Sequence, residues 1–307
     1  MGKDNQRFIS EEIFGGEVGV LQTKLSGFGP VHPKKPGFQK QLGAVLRQVE
    51  VNRVLAQKLT HNTKVTPIRA WDELEKGEGY FDEHYLEDGV PGFLRTKEAS
   101  DGVVVSITGE TGEMINAVMI MAADCGGTRI LAPNGELAVL HSSLQCVDAK
   151  NGEDSIITNA IDYFESQGID PSELQMQIGN AARSCCFGLD DPKYKVQNEK
   201  RRARLIKDYG DAVIRSIPYP PRMGGIGIDV PLLAARQAEK RRVKDIDVSG
   251  LCTACHGLIK RVMKPEDWAR MEKMDTYGDF SSHLRTTPGI DKERGWAHRD
   301  AVVVYGK

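Results

Sequence analysis

The sequence predicts an α+β fold built on mixed β-sheets rather than a doubly wound parallel sheet. Three observations carry this. Strand-like runs rich in β-branched residues alternate irregularly with helix-like ones, hairpin signals join successive strands, and the 307 residues contain no repeat of fixed period.

Taken in order, "FQKQLGAVLRQVEVNRVLAQKL" over 38–59 has Leu42, Val45, Leu46, Val49, Val54, Leu55 and Leu59 at near-helical spacing and is predicted as a helix. "THNTKVTPI" reads as a turn into a short strand with Val65 and Ile68 apolar. Residues 70–101 are polar, acidic and Gly-rich, which predicts a long surface excursion. "GVVVSIT" and "EMINAVMIMAA" are strands by composition, and "TRILA" and "ELAVLH" form a hairpin over Pro133-Asn134-Gly135. "EDSIITNAIDYFESQG" is an amphipathic helix with Gly168 at its stop, followed by the strand "LQMQIG". Asp229 can cap a helix over "VPLLAARQAEKRRV", with Pro231 in the first turn. "DIDVSG" and "DAVVVYG" are the last strands.

Composition narrows the function. Hydrophobic residues at 40% and charged residues at 27% are ordinary for a globular chain, and the net charge of −2 provides no basic field for nucleic acid. The short basic runs "EKRRARLIK" and "EKRRVK" read as solvated helix faces. No apolar stretch nears the roughly 20 residues of a membrane span, and "MGKDNQRFISEEIF" lacks the apolar core of a signal peptide. Six cysteines without such a signal predict reduced thiols and a cytoplasmic location.

The chemistry concentrates in "MAADCGGTRILAPNGELAVLHSSLQ", where Cys125 and His141 end two apolar runs sixteen positions apart, the length of strand, turn and strand. Zinc takes cysteine sulfur and histidine nitrogen, and catalytic zinc sites use three protein ligands with a fourth position for water. His61, in the turn after the first predicted helix, can supply the third. A thiol at a strand end is equally a small hydrophobe, and a Cys-His pair equally suits nucleophile and base. "LCTACH" spaces Cys252 and Cys255 as Cys-x-x-Cys before His256, but no second such pair exists for a zinc ribbon. Strand-end packing is the expectation there, and for vicinal Cys185 and Cys186 as well.

These residues carry a family resemblance. "AADC…GELAVLHSS" resembles the T-A-D-C…H-A-G-W-R-G stretch of the YfiH, laccase-domain or multicopper polyphenol oxidoreductase family. "KLTHNTKV" is similar to its Q-V-H-G-x-x-V, and "IGNAARSCCFGL" to its L-G-P-x-I-x-x-C-C-Y-E-V. "IDVPLLAARQAEKRRVKDIDVSGLCTAC" and "DFSSHLR…AHRDAVVV" match two further segments in order. The resemblance spans roughly residues 35–305, so 1–34 are expected as an N-terminal extension and 35–307 as one domain. It implies face-to-face mixed sheets with outer helices in α/β/β/α layers. It also implies a purine nucleoside phosphorylase with adenosine deaminase activity, acting on purine nucleoside and phosphate. The implied metal ligands are His61, Cys125 and His141, with zinc, or copper, as the ion.

Three departures bear on this. Gln145 stands where the family has an arginine that would help hold phosphate, and glutamine brings neither charge nor a bidentate fork. Asn62 and Asn180 replace a glycine and a proline. Arg183, Arg285 and Arg299 are the candidates to replace the lost cation. Two other readings stand beside the phosphorylase: a Cys-His hydrolase or amidase using Cys125 and His141, and a non-catalytic metal-binding relative.

Overall fold

The computed structural model describes residues 8–24, 54–70, 73, 75–76, 93–107, 115, 117–122, 124–148, 154–189, 195–217, 225–250, 252–253 and 300–306. The strands in chain order begin with β1 (Phe8–Ile13), β2 (Val18–Lys24), β3 (Val54–Ala56), β4 (Val65–Pro67), β5 (Glu75–Lys76), β6 (Phe93–Arg95), β7 (Gly102–Ser106) and β8 (Ala117–Ala122). They continue with β9 (Gly126–Leu131), β10 (Glu136–Ser142), β11 (Gln175–Ile178), β12 (Ile214–Ser216), β13 (Ile226–Ile228), β14 (Asp245–Val248) and β15 (Asp300–Gly306). The helices are α1 (Leu144–Val147), α2 (Ile156–Ser166), α3 (Lys195–Tyr209) and α4 (Val230–Lys240).

Two mixed sheets organise the chain, one of seven strands in the order β1-β2-β15-β8-β3-β6-β5 and one of six in the order β14-β11-β9-β10-β7-β4. The pair β12-β13 stands apart. Strand periodicity sorts the side chains of the six-stranded sheet into two cores. Val103, Val105, Leu131, Leu137 and Val139 meet Leu55, Val118, Ile120, Val302 and Val304 of the seven-stranded sheet. Val104, Ile130, Ala138, Leu140, Met176 and Ile178 face the other way, against Ile157, Ile161 and Phe164 of α2 and Leu233, Ala234 and Ala238 of α4. Each large aliphatic side chain buried this way contributes about 1.5–3 kcal/mol. A one-residue slip of β10 would exchange the two sets, so its register is strongly specified.

Helix ends follow local chemistry. Ser155 caps α2 by accepting from Thr158 N at 3.1 Å, and Gly168 takes φ +83° just beyond its end. Asp229 caps α4 by accepting from Leu232 N at 3.0 Å, with Pro231 in the first turn. The basic runs meet acids: Arg201 lies 2.5 Å from Asp148, Arg204 also pairs with Asp148, and Arg241 pairs with Asp162 and Glu165. No helix among the described residues is long and apolar enough to cross a membrane.

Two element expectations change. Val54–Ala56, within the predicted 38–59 helix, is a fully buried strand between β8 and β6; β-branched Val54 suits that position, and Leu55 fills the buried space beside it. The rest of that helix lies outside the described residues. The stretch 70–101 is not wholly a surface excursion: Phe93–Arg95 is a sheet strand, and Ser100 and Asp101 are buried. Its polar residues there point inward because they carry hydrogen bonds, which composition alone does not reveal. Residues 8–24, within the expected N-terminal extension, form β1 and β2, and β2 pairs with β15.

Candidate metal centre

The site sits where the inter-sheet face of the six-stranded sheet reaches the ends of its central strands β9 and β10. In β10, His141 shares the parity of Leu137 and Val139, so it leaves the strand on the same face. In β9 the odd positions face the same way, and Cys125, just before the strand, packs against this core. His141 pairs with Gly127 in the β9–β10 hairpin, which puts Cys125 diagonally beside it. Leu140 pairs with Gly102, so the next pair outward is His141 with Asp101, and His141 N donates to Asp101 O at 2.7 Å.

Asp101 is the knot of the site. It is 0% exposed, and its carboxylate accepts from the backbone N–H of Thr60, His61 and Asn62 at 3.0, 3.1 and 2.9 Å. The same carboxylate lies 2.8 Å from His141 Nδ1. Burial works against the charged form of Asp101, but the His141 bond and the backbone donors outweigh it and hold the carboxyl below its usual range. Those three bonds also hold His61 at φ +60°, a left-handed conformation that costs a non-glycine residue about 1–3 kcal/mol. Asn62 knits the same loop. Its amide donates to Thr60 Oγ1 at 2.8 Å, and its carbonyl accepts from Lys64 N at 2.9 Å.

With the loop so fixed, the donor atoms of His61, Cys125 and His141 lie within 4.8 Å of one another. The two rings stand edge to face, 5.3 Å between centroids. His61 is exposed, Cys125 half-buried and His141 buried, so the cluster opens outward through His61. Burial raises the Cys125 thiol, and Asp124 adds to that. The His141 charge and hydrogen bonds from His141 and His61 outweigh both and bring it down to about 6. Burial depresses His141, but Cys125, Asp101 and Cys146 hold its imidazolium well above the ordinary value. One sulfur and two imidazole nitrogens are a donor set that zinc and copper accept.

The remaining candidates stand differently. Gln145 is exposed on α1. Arg183 Nε donates to Asp229 at 2.9 Å and its Nη1 donates to the Ser249 carbonyl, so its charge is engaged in tying two segments together. Arg285 and Arg299 lie outside the described residues, as do Cys255 and His256. A surface pocket lined by Pro133, Asn134, Glu173 and Gln175 lies at the hairpin turn, the opposite end of β9 and β10 from the cluster. Sequence reasoning missed Asp101 and Cys146. Asp101 immediately precedes β7, whose antiparallel partner β10 carries His141, but β8 and β9 lie between the two strands in the chain, so no local pattern signals the pairing. Cys146 occupies the position after Gln145 and shares a second possible metal-holding group with Asp101 and His141.

Fold and site together define a two-sheet α+β domain with a His/Cys cluster at the ends of two central strands, able to hold a metal ion. The chain belongs to the multi-copper polyphenol oxidoreductase laccase family, whose model matches residues 39–258. Among solved structures it is similar to the Bacillus licheniformis hypothetical protein YfiH, with TM-score 0.64 and 15% identity over 99% of this chain and 100% of that one. It is also similar to YlmD from Geobacillus stearothermophilus, with TM-score 0.61 and 16% identity over 95% and 92%. A third is Neisseria meningitidis protein NMB0706, with TM-score 0.59 and 15% identity over 98% and 99%. No curated protein matches the chain.

Proposed function

We propose that the chain is a metal-dependent purine nucleoside phosphorylase with adenosine deaminase activity, working in the cytoplasm on purine nucleoside and phosphate. Its ion is held by His61, Cys125 and His141, with zinc as the physiological metal. The observation that supports this is the convergence of these three donors within 4.8 Å at the open ends of strands β9 and β10. Bound there, the ion supplies Lewis acidity that polarises an oxygen or eases deprotonation of water.

The chain's own groups do the rest. Asp101 fixes the His141 ring through Nδ1, leaving the other ring nitrogen toward Cys125. The same carboxylate fixes the 60–62 loop, so ligand positions on a strand and on a loop are set by one residue. In phosphorolysis a phosphate oxygen bonds to the ribose anomeric carbon as the carbon–nitrogen bond to the purine breaks, and the base leaves with a proton. With Gln145 uncharged and Arg183 engaged by Asp229, Arg285 and Arg299 are the candidate cations left to meet phosphate. Deamination, in which water displaces the purine amino group as ammonia, does not share that need.

A second reading has its own observation. A thiol at about 6 beside an imidazole oriented by a buried carboxylate is the arrangement of a cysteine nucleophile with its base. Purified, metal-quantified protein incubated with adenosine and inosine, with and without phosphate, separates the readings. The proposal expects free base from inosine only with phosphate, and inosine from adenosine without it. Metal-replete protein that turns over neither nucleoside overturns it.

A further inference from the structure

A second cluster of soft donors lies beside the first. The Sγ atoms of Cys185, Cys186 and Cys252 are within 4.8 Å of one another. All three are thiols rather than disulfides. They come from two segments laid side by side. Ala181 forms a parallel bridge to Cys252, and Thr253 N donates to Ala181 O at 3.0 Å. Cys185 and Cys186 occupy a tight turn in which Cys186 N and Phe187 N both donate to Arg183 O at 2.9 Å. Gly227 backs this turn so closely that a Cβ there would collide with the Ser184 carbonyl oxygen, so the backbone carrying the thiols has little room to shift.

Two observations distinguish this cluster from ordinary cysteine packing. Buried cysteines normally fill gaps among aliphatic side chains. Among the described residues these three instead form a cluster of their own, separate from both large cores. In addition, the backbone N–H of Arg183 donates to Cys252 Sγ at 3.4 Å, so the segment carrying Cys185 and Cys186 already holds the Cys252 sulfur in place.

We propose that Cys185, Cys186 and Cys252 form a second metal site, distinct from the His61–Cys125–His141 centre, which binds a thiophilic d¹⁰ ion, Zn²⁺ or Cu⁺. Three thiolates select ions of this class. With metal–sulfur bonds of about 2.3 Å, tetrahedral ligation brings sulfur atoms to roughly 3.8 Å, and the three sulfur atoms already lie within 4.8 Å of one another. Each thiol gives up its proton to solvent on binding, and the ion's oxidation state does not change. The role is to fasten 181–186 to 252–253. Those segments in turn hold the neighbour of Cys125: Ala182 N donates to Asp124 O at 2.9 Å and Thr253 Oγ1 donates to Asp124 Oδ1 at 3.0 Å. The second ion therefore steadies the strand end that presents Cys125 to the first.

The test is metal counting on the full-length chain, loaded either with zinc or, anaerobically, with copper(I). Two equivalents per chain are expected with at least one of these ions. His141→Ala should lose one and keep the other, whereas Cys252→Ser and Cys185→Ser should each lose the equivalent that His141→Ala keeps. Cobalt loading of His141→Ala should show intense sulfur-to-metal charge-transfer absorption that disappears in His141→Ala/Cys185→Ser. Cys185 is half-buried, so its serine variant keeps the test open should Cys252→Ser fail to fold. A stoichiometry of one that His141→Ala abolishes, or a disulfide among the three cysteines in protein alkylated under native conditions, overturns the proposal.

Discussion

The two sulfur clusters are built by opposite means. Cys125 and His141 stand at the ends of paired strands, where register alone makes them diagonal neighbours and sheet parity turns both toward the inter-sheet core. Cys185, Cys186 and Cys252 stand on irregular segments held by a single parallel bridge, a tight turn and a glycine contact. Strands place mixed sulfur and nitrogen donors at an opening, with a carboxylate behind one of them. The irregular segments gather sulfur alone beside the Asp124 contacts. The difference teaches a division of labour: an open mixed-donor cluster suits chemistry, and a thiol-only cluster that fastens two segments suits structure.

The largest effect expected from breaking this contrast is at His141. His141→Ala should lower turnover of either nucleoside by at least about 10²–10³-fold, the scale of losing one preorganised electrostatic group. Far-UV circular dichroism should stay native. Activity within a few-fold of the parent protein would remove His141 from the chemistry.

Next in size is the thiol's pH response in metal-stripped protein. A folded-state value of about 6 means that Cys125 is mostly thiolate at pH 7 and loses that form as pH falls through about 6. Iodoacetamide labelling at Cys125, read by peptide mass spectrometry, should have its midpoint there. The depressed value also means that this group's contribution to stability is present at higher pH and is lost on acidification through the same range. His141→Gln should push the midpoint up toward the ordinary thiol value of about 8.5, because the main opposing charge is gone. An unchanged midpoint would break the claimed coupling.

A smaller change separates ligand from support. Asp101→Asn keeps the shape but weakens the bonds to His141 and to the 60–62 loop. Metal affinity at the first site should fall about 10–100-fold, the usual cost of losing a ligand's orienting partner. The Cys185–Cys186–Cys252 stoichiometry should be untouched, and metal titration of the two sites reads both. The smallest effect concerns the anion. Gln145→Arg should lower the phosphate KM by about tenfold, equivalent to one added charge-assisted bond of roughly 1.5 kcal/mol. Saturation of the unmodified protein at low micromolar phosphate would show that another cation already fills the role.

The same contrast explains what could be read from sequence. The hairpin, α2, α4 and the last strands are local: apolar periodicity, a Pro-Asn-Gly turn and caps at Ser155 and Asp229 mark them. Cys125 and His141 inherit that legibility, since sixteen positions across a hairpin return the chain to its starting end. From its turn position His61 was one candidate third ligand, and the family motif singled it out, because its placement depends on a left-handed loop tied to Asp101 from forty residues away. Val54–Ala56 was misread because a short buried strand has no alternation to set against a helical run. The partners of Cys252 were invisible, since a vicinal pair does not resemble the second half of a zinc ribbon. Among the described residues, the bridge from Ala181 and the Arg183 N–H on Cys252 Sγ bring them together.

The central claim is that nucleoside chemistry depends on the ion held by His61, Cys125 and His141. The most direct measurement strips the protein with a chelator, restores zinc stepwise, and follows inosine cleavage in the presence of phosphate. No turnover is expected in the stripped protein, and the rate should rise in proportion to occupancy of this site. Full turnover by metal-free protein, abolished by alkylation of Cys125, would contradict it and assign the site to a cysteine nucleophile instead.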